Sequence, residues 1–361
     1  MKTYLVTGGY GFIGSNFIRY LFNKYLDIRI INIDKLTYAG NVQNLRDIQD
    51  VSNYIFVKGD ICNRNIVEKI FKEYDIDYVV NFAAESHVDR SIKNSDIFIR
   101  TNVLGTQVLL DVVKKYWEKE KGFIKGRKYV QISTDEVYGS LESDGYFTES
   151  TPLNPRNPYS ACKASADILV KSYHYTYKMP VIITRCSNNY GPYQFPEKLI
   201  PLIINNALQG KDLPIYGDGK NIRDWIYVKE HCKAIDKIIQ AGVVGQVYNI
   251  GGHNEKTNID VVKVIVRELK NLLNDNDERK KHISDKLIKF VEDRKGHDRR
   301  YAIDPNKVEK NIGWKSEIKF DDGIKKTIKW YLNNTEWLED IMSGEYKKMN
   351  EEMYIKKVGD N

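Results

Sequence analysis

The chain has 361 residues, 42% of them hydrophobic and 29% charged, and a formal net charge of +7. That length exceeds the roughly 250–300 residues at which a single core stops growing, so one large domain and a smaller appended one are expected. No apolar run approaches the ~20 residues of a membrane span, no leader-like segment precedes the first strand, and the basic excess comes without a nucleic-acid recognition motif, so a cytoplasmic protein that binds neither membrane nor nucleic acid is expected.

Residues 4–6 (Tyr-Leu-Val) read as a first strand, followed by a glycine-rich turn and a helical pattern over 13–25. Residues 30–33 form a second strand ending at Asp34, and 55–57 a third ending before Asp60. A helix is expected over 67–74, a fourth strand over 78–82 and a long helical stretch over about 95–120. A fifth strand over 129–132, a helix over 160–177 and a sixth strand over 181–183 follow. This alternation predicts a parallel sheet covered on both faces, and the near-continuous apolar strands suit burial on both sides. After about Arg185 the pattern loosens, punctuated by Pro192, Pro196, Pro201 and Pro214. Residues 247–250 read as one more sheet strand, 260–273 and 321–332 as helices, and 274–281 as a polar loop. The tail from Ser343, rich in lysine and glutamate, is expected to fray.

The four cysteines, Cys62, Cys162, Cys186 and Cys232, are scattered with no CxxC pair. No histidines are spaced for a metal on a helix, so free thiols and no metal are expected. The lysine excess is spread along the chain, as in Lys114-Lys115 and Lys325-Lys326, and reads first as a solvated basic surface; the alternative reading is a field that attracts anionic substrates.

Gly8, Gly11 and Gly14 stand in a GxxGxxG turn between the first strand and the first helix. In that context the first glycine permits a tight turn, the second lets the backbone approach a pyrophosphate, and the third lets helix and strand pack closely. The helix N-terminus then offers free N–H groups to phosphates. Asp34, twenty residues beyond Gly14, stands where a carboxylate bonds the adenosine ribose and repels a 2′-phosphate, which favours NAD over NADP. Asp60 and Ile61 follow the third strand, where an adenine edge contact is expected. Ala83 and Ala84 follow the fourth, where small residues let the cofactor pass close to the backbone.

Tyr159-Ser160-Ala161-Cys162-Lys163 gives YxxxK at the start of a helix. Positions i and i+4 share a helix face, so the lysine charge is expected to lower the phenol's pKa from its ordinary ~10. Such a tyrosinate is a base for an alcohol losing hydride from the same carbon. Ser133-Thr134-Asp135-Glu136-Val137-Tyr138-Gly139 follows the fifth strand, at the carboxyl end of the sheet where open α/β sheets bind ligands. Thr134 is placed to bond the alcohol, and Asp135 and Glu136 are adjacent acids on a loop.

The glycine turn, Asp34, the segment Asn81-Phe82-Ala83-Ala84-Glu85-Ser86-His87-Val88-Asp89 and YxxxK resemble the extended short-chain dehydrogenase/reductase family. The run from Ser133 to Gly139 resembles that of its sugar-nucleotide 4,6-dehydratases. So do Arg185-Cys186-Ser187-Asn188-Asn189-Tyr190-Gly191-Pro192, the segments at 195–201 and 214–219, Arg223-Asp224-Trp225 and Asp293-Arg294-Lys295-Gly296-His297-Asp298. The resemblance runs to about Leu332. It departs at Lys295, where proline is common in the family.

The resemblance implies a Rossmann-like doubly wound parallel sheet with a smaller, interleaved α/β substrate-binding domain. Residues 1–184 and about 224–252 would bind NAD, residues 185–223 and about 253–342 the sugar nucleotide, and 343–361 would be a C-terminal tail. It implies dTDP-glucose as substrate and a 4-keto-6-deoxy sugar nucleotide as product. Tyr159 would take the proton of the carbon 4 hydroxyl as NAD takes the hydride. Glu136 would then remove the carbon 5 proton, and protonated Asp135 would release the carbon 6 hydroxyl as water before the hydride returns to carbon 6. Phe12, Ile13, Lys163 and Asn189 would join the glycines, Asp34, Asp60, Ile61, Ala83, Ala84 and Tyr159 around NAD. Ser86, His87, Thr134, Asn188, Glu197, Lys198, Leu199, Pro214, Tyr216, Arg223, Asn258, Arg294 and His297 would contact the sugar nucleotide, with Lys198, Arg223 and Arg294 suited to its diphosphate. A homodimer is implied, built on the helices at 95–120 and 160–177. A UDP-glucose dehydratase would carry the same acid pair. A 4-epimerase or a decarboxylase on the scaffold would share the glycine turn and YxxxK, but an epimerase would not need the acid pair, and a non-catalytic NAD-binding protein would need neither that pair nor YxxxK.

Overall fold

The computed structural model describes residues 1–342; the tail expected to fray lies outside the described residues. Seven strands form one sheet: β1 (Lys2–Thr7), β2 (Ile28–Asp34), β3 (Tyr54–Lys58), β4 (Tyr78–Asn81), β5 (Lys128–Thr134), β6 (Val181–Cys186) and β7 (Val247–Ile250). Their spatial order is β7-β6-β5-β4-β1-β2-β3, and every neighbouring pair is parallel. The chain winds outward from β1 to β3, then returns to the other side of β1 to lay down β4 to β7. The reversal falls between β1 and β4, where the carboxyl ends of a doubly wound sheet open a ligand crevice.

The main helices are α1 (Phe12–Lys24), α2 (Arg64–Glu73), α3 (Gly105–Trp117), α4 (Pro158–Tyr177), α5 (Leu199–Leu208), α6 (Val228–Ala241), α7 (Asn258–Leu272) and α8 (Phe320–Asn333). Successive residues of β1 enter different cores, as the period of two requires. Tyr4 and Val6 join Phe17, Ile18, Ile182 and Ile235 under α1 and α6. Leu5 joins Val79, Leu109, Val113, Trp117 and Tyr129 under α2, α3 and α4.

Two stretches differ from expectation. Residues 95–120 are not one helix: a turn at Asp96–Phe98 and a π-helical segment at Ile99–Leu104 precede α3, and Glu118–Lys119 pairs with Gly122–Phe123. Helix α6 falls where the sequence pattern loosens. Its apolar stripe is interrupted by Glu230, His231 and Asp236, all buried. Each takes a partner from another element, Asp236 from Lys24 and Tyr25, Glu230 from the Glu317 N–H and His231 from Asn189.

The second unit interleaves with the first. Ile222–Tyr227 pairs with Asn188–Tyr190, Glu255–Thr257 and Arg300–Tyr301, and Leu213–Tyr216 pairs with Ile288–Val291. Tyr190, Trp225 and Phe320 share a separate core with residues of α5, α7 and α8. The chain leaves the large sheet after Cys186, returns through α6 to β7, and leaves again after Ile250. No helix among the described residues is long and apolar enough to cross a membrane.

Candidate active site

At the first reversal of the sheet, Gly8 has φ +67°, and a Cβ there would stand 2.8 Å from the Ala83 backbone. A Cβ on Gly14 would stand 2.4 Å from the Gly8 carbonyl oxygen. The turn therefore lies directly on the end of β4, and α1 starts with its N–H groups facing the crevice side. The Asp34 carboxylate accepts from Tyr10 N at 2.9 Å and Leu36 N at 2.8 Å. Burial raises its pKa and these two N–H groups oppose the rise. Gly8, Gly11, Asp34, Asp60, Ile61, Ala83 and Ala84 line this end of the crevice. Asp60 caps Cys62 N at 2.9 Å and pairs with Lys35 at 2.9 Å.

The crevice continues past Gly8 and Gly11 to Phe12, Ile13 and Gly14 on one side and Thr134, Asp135, Glu136, Tyr159, Lys163, Asn188 and Asn189 on the other. Helix α4 begins with a capping box: Asn157 accepts from Ser160 N at 2.9 Å, Ser160 Oγ accepts from Asn157 N, and Pro158 takes the first helical position. This start places Tyr159 and Lys163 on one buried face. Asp135–Tyr138 is a tight 3-10 turn at the end of β5, not a solvated loop, and Asp135 is 1% exposed. The turn follows from Thr134, whose hydroxyl accepts from Glu136 N at 3.3 Å.

Electrostatics separate the two acids. Burial raises the Asp135 pKa well above the carboxylate range, and the charges of Glu136 and Asp224 add to it. Its Oδ2 is buried with no hydrogen-bond partner. Burial also raises Glu136, but Arg223, Lys198 and Arg294 oppose that rise. Asp135 is thus the better proton holder and Glu136 the better base. For Tyr159 the structure corrects the expectation of a lowered pKa. Burial, then the charges of Glu136, Cys186 and Asp135, raise it. The lysine is itself buried, which lowers its pKa, and its Nζ donates to the Ile132 carbonyl at 2.6 Å.

Beyond Glu136 and Asn188 the crevice opens between the two units. Ser86, His87, Glu197, Lys198, Leu199, Pro214, Tyr216, Arg223, Asn258, Arg294 and His297 line it. Every residue expected from the sequence thus lines one of three adjoining cavities, the middle one sharing Gly8 and Gly11 with one neighbour and Ser86, Glu136 and Asn188 with the other. The three cations already hold protein partners. Lys198 donates to Ser86 O at 2.9 Å, Arg294 pairs with Asp89 at 2.8 Å, and Arg223 donates to Ile222 O at 2.8 Å and Asp298 O at 2.9 Å. Burial lowers His87 well below its ordinary value and His297 to about 4, so both rings are neutral near pH 7.

Other wall and support residues carried no sequence signal. Asn157, Gln194 and Tyr301 line the outer end of the crevice. Asn102, in the π-helical segment, holds the backbone N–H and carbonyl of Glu85, each at 2.9 Å. A π turn in a helix beside a site is a recurring device. It fixes the strand end carrying Ala83 and Ala84.

A sheet reversal beside a glycine turn, with a YxxxK helix across the crevice, is the arrangement of an extended short-chain dehydrogenase/reductase. The chain belongs to the GDP-mannose 4,6 dehydratase family, whose model matches residues 5–327. It is 49% identical over 364 residues to the dTDP-glucose 4,6-dehydratase of Shigella flexneri, spanning 97% of this chain and 98% of that one. It is 50% identical over 355 residues to one from Escherichia coli, spanning 95% and 97%. The crystal structure of dTDP-glucose 4,6-dehydratase from Bacillus anthracis in complex with NAD superposes with a TM-score of 0.83 at 49% identity, over 94% of this chain and 100% of that one. UDP-glucose 4-epimerase from Thermotoga maritima with UDP-glucose gives a TM-score of 0.80 at 26% identity, over 92% and 99%.

Proposed function

We propose that this chain dehydrates dTDP-glucose to dTDP-4-keto-6-deoxyglucose with NAD as a retained cofactor. One observation carries the reading: the adjacent acids Asp135 and Glu136 share a crevice with Tyr159 and Lys163. Oxidation at carbon 4 needs only the tyrosine and lysine. A second pair of adjacent acids, with Asp135 pushed up further and the rise of Glu136 opposed by Arg223, Lys198 and Arg294, has a use only where a proton is removed and a hydroxyl released. The relatives at about half identity carry the dTDP-glucose name, whereas the UDP-glucose epimerase stands at 26%.

The residues fit a dinucleotide: the glycine turn lies flat on β4, and the N-terminus of α1 faces the space where a pyrophosphate would lie. Gly8, Gly11, Phe12, Ile13 and Gly14 would hold that pyrophosphate, Asp34 the adenosine ribose, and Asp60 and Ile61 the adenine edge. Ala83 and Ala84 would flank its path, with Tyr159, Lys163 and Asn189 at the nicotinamide end. When bound, NAD supplies a hydride acceptor at carbon 4 and a donor at carbon 6. Tyr159 takes the proton of the carbon 4 hydroxyl, with Thr134 bonding the same oxygen. Lys163 shares the buried helix face of Tyr159, and its charge would favour the phenolate where Nζ turns from the Ile132 carbonyl toward the phenol.

The ketone formed at carbon 4 acidifies the carbon 5 proton. Glu136 accepts that proton. Asp135 gives its own to the departing carbon 6 hydroxyl, which leaves as water, and Glu136 then returns a proton to carbon 5. Arg223, Arg294 and Lys198 hold the diphosphate. Ser86, His87, Asn188, Glu197, Leu199, Pro214, Tyr216, Asn258 and His297 complete the sugar-nucleotide wall. In this reading residues 1–184 and about 224–252 serve the cofactor, and 185–223 and 253–342 the substrate.

We also infer a cytoplasmic homodimer. Ile99 and Leu104 in the π segment, and Ile168 and Tyr175 on α4, expose apolar surface on adjoining helices, Ile168 at 58% and Tyr175 at 67%. Surface of this kind on neighbouring elements marks a protein contact, and a two-fold pairing of the same face buries it on both chains.

The test is an assay of the purified protein on dTDP-glucose and UDP-glucose, reading the alkali-induced absorbance of the keto sugar. Rapid keto product from dTDP-glucose and little from UDP-glucose is expected. A 4-epimer with no keto product would overturn the reading.

A further inference from the structure

The two halves of the proposed chemistry lie on different segments, and one buried arginine joins them. Arg185, on β6, is 1% exposed. Its Nε donates to Asp167 Oδ2 at 2.8 Å and its Nη1 to the Tyr138 hydroxyl at 2.9 Å. Asp167 is on α4, one turn beyond Lys163 and two beyond Tyr159, and is fully buried. Tyr138 closes the turn that carries Asp135 and Glu136. Its hydroxyl donates in turn to Asn249 Oδ1 at 2.8 Å. Asn249 on β7 is itself fixed, with its N–H on Glu149 at 2.9 Å and its amide on Phe147 O at 3.0 Å.

Arg185, Asp167 and Tyr138 are off the crevice wall, so none touches a ligand there. A buried ion pair is a poor source of stability, since apolar packing of the same volume does as well or better. Its two arms, however, define a distance: one end is the tyrosine helix, the other the acid turn. Both must address the same sugar ring, carbon 4 in one step and carbons 5 and 6 in the next.

We propose that Arg185 and Tyr138 are positioning residues that set Asp135 and Glu136 in register with Tyr159, so that elimination follows oxidation on a ring that does not move. The proposal rests on the dehydratase reading above. Tyr138→Phe keeps the ring and removes the hydroxyl that holds the turn to Arg185 and Asn249. A displacement of about 1 Å costs about 10²-fold in a positioned reaction, and only the acid turn is released.

The test is rapid mixing of NAD-loaded enzyme with dTDP-glucose, following NADH absorbance, together with deuterium entry at carbon 5 from heavy water. In Tyr138→Phe, NADH formation should stay within about twofold of wild type, while its decay and the carbon 5 exchange slow by about 10–100-fold, with KM little changed. Arg185→Lys, which keeps a charge opposite Asp167 but lacks the second arm, should show the same split. Should Tyr138→Phe or Arg185→Lys fail to fold, Asn249→Ser frees the turn from its other side and decides the matter by the same ratio. Parallel slowing of both steps, or no change in either, overturns the proposal. Wild type that forms no keto product overturns the dehydratase reading instead, before any variant is compared.

Discussion

The hydroxyl of Tyr38 donates to Glu197 Oε1 at 3.1 Å, across 159 residues of chain. The loop that bears Tyr38 leaves Asp34 and passes over the dinucleotide end of the crevice, with Thr37, Ala39 and Gly40 on its wall. Glu197 stands on the substrate wall. The tyrosine ring is clamped edge-on by Phe195 at 5.5 Å and faced by the Arg90 guanidinium at 3.8 Å. The contact thus straps the loop after Asp34 to the second unit, which under the proposed function suits a reaction that returns its oxidant at each turnover.

Tyr38→Phe removes that single bond and keeps the ring. A hydrogen bond contributes ~0.5–1.5 kcal/mol net, so NAD should leave the variant about two- to tenfold faster. The amount of NAD that stays with the protein through gel filtration measures it. Equal retention in both proteins would show that the strap does not hold the cofactor.

Asp34→Ala with Lys35→Arg should relax the preference for NAD over NADP, because the carboxylate no longer repels a 2′-phosphate. The same change strands the Tyr10 and Leu36 N–H groups, so the melting temperature should fall by an amount equivalent to ~1–3 kcal/mol. Affinities for the two dinucleotides by fluorescence titration check the first point. An unmoved ratio would remove Asp34 from the ribose site.

His231 makes stability depend on pH. Its Nδ1 meets Asn189 Oδ1 at 2.9 Å, and burial lowers its pKa from 6.5 to about 3. Between those values the unfolded chain takes a proton that the folded chain refuses, so its contribution is full above pH 6.5 and is lost as pH falls toward 3. The limiting slope is about 1.4 kcal/mol per pH unit. His231→Gln should lose less melting temperature than wild type between pH 7 and pH 5 (about one slope unit less per pH step). Parallel losses would show that another group carries the dependence.

Ile168→Asp should yield a monomer. A carboxylate placed in the exposed apolar face of α4 would be desolvated by the two-fold contact and costs too much there. Light scattering at micromolar concentration reads the mass. A variant that keeps the mass of wild type would move the contact to another face.

The large sheet was legible because its strands are largely apolar runs, several of them ended by glycine or acid, and the residues that matter stand at those ends. Gly8, Asp34, Ala83 and Glu136 each follow directly from a strand boundary. Helix α6 was not legible, because buried Glu230, His231 and Asp236 break its stripe and find partners far along the chain. The short strands after Arg185 owe their form to long-range pairing, as when Ile222 meets Arg300, and no local pattern marks them. YxxxK spacing put Tyr159 and Lys163 on one face but not the direction of Nζ, which the Ile132 carbonyl sets. Nor did anything in the run around Asp135 reveal that its turn is pinned from behind by Arg185.

Rapid mixing of Glu136→Gln with dTDP-glucose tests the role of Glu136 as the base of the proposed elimination. Tyr159 and Lys163 are intact in the variant, so NADH absorbance should rise as in wild type. The amide cannot accept the carbon 5 proton, so that absorbance should then decay about 10²–10⁴-fold more slowly, the usual contribution of a general base. Unchanged turnover, or no NADH at all, would contradict the account: the first would take the base role from Glu136, and the second would place it in the oxidation step.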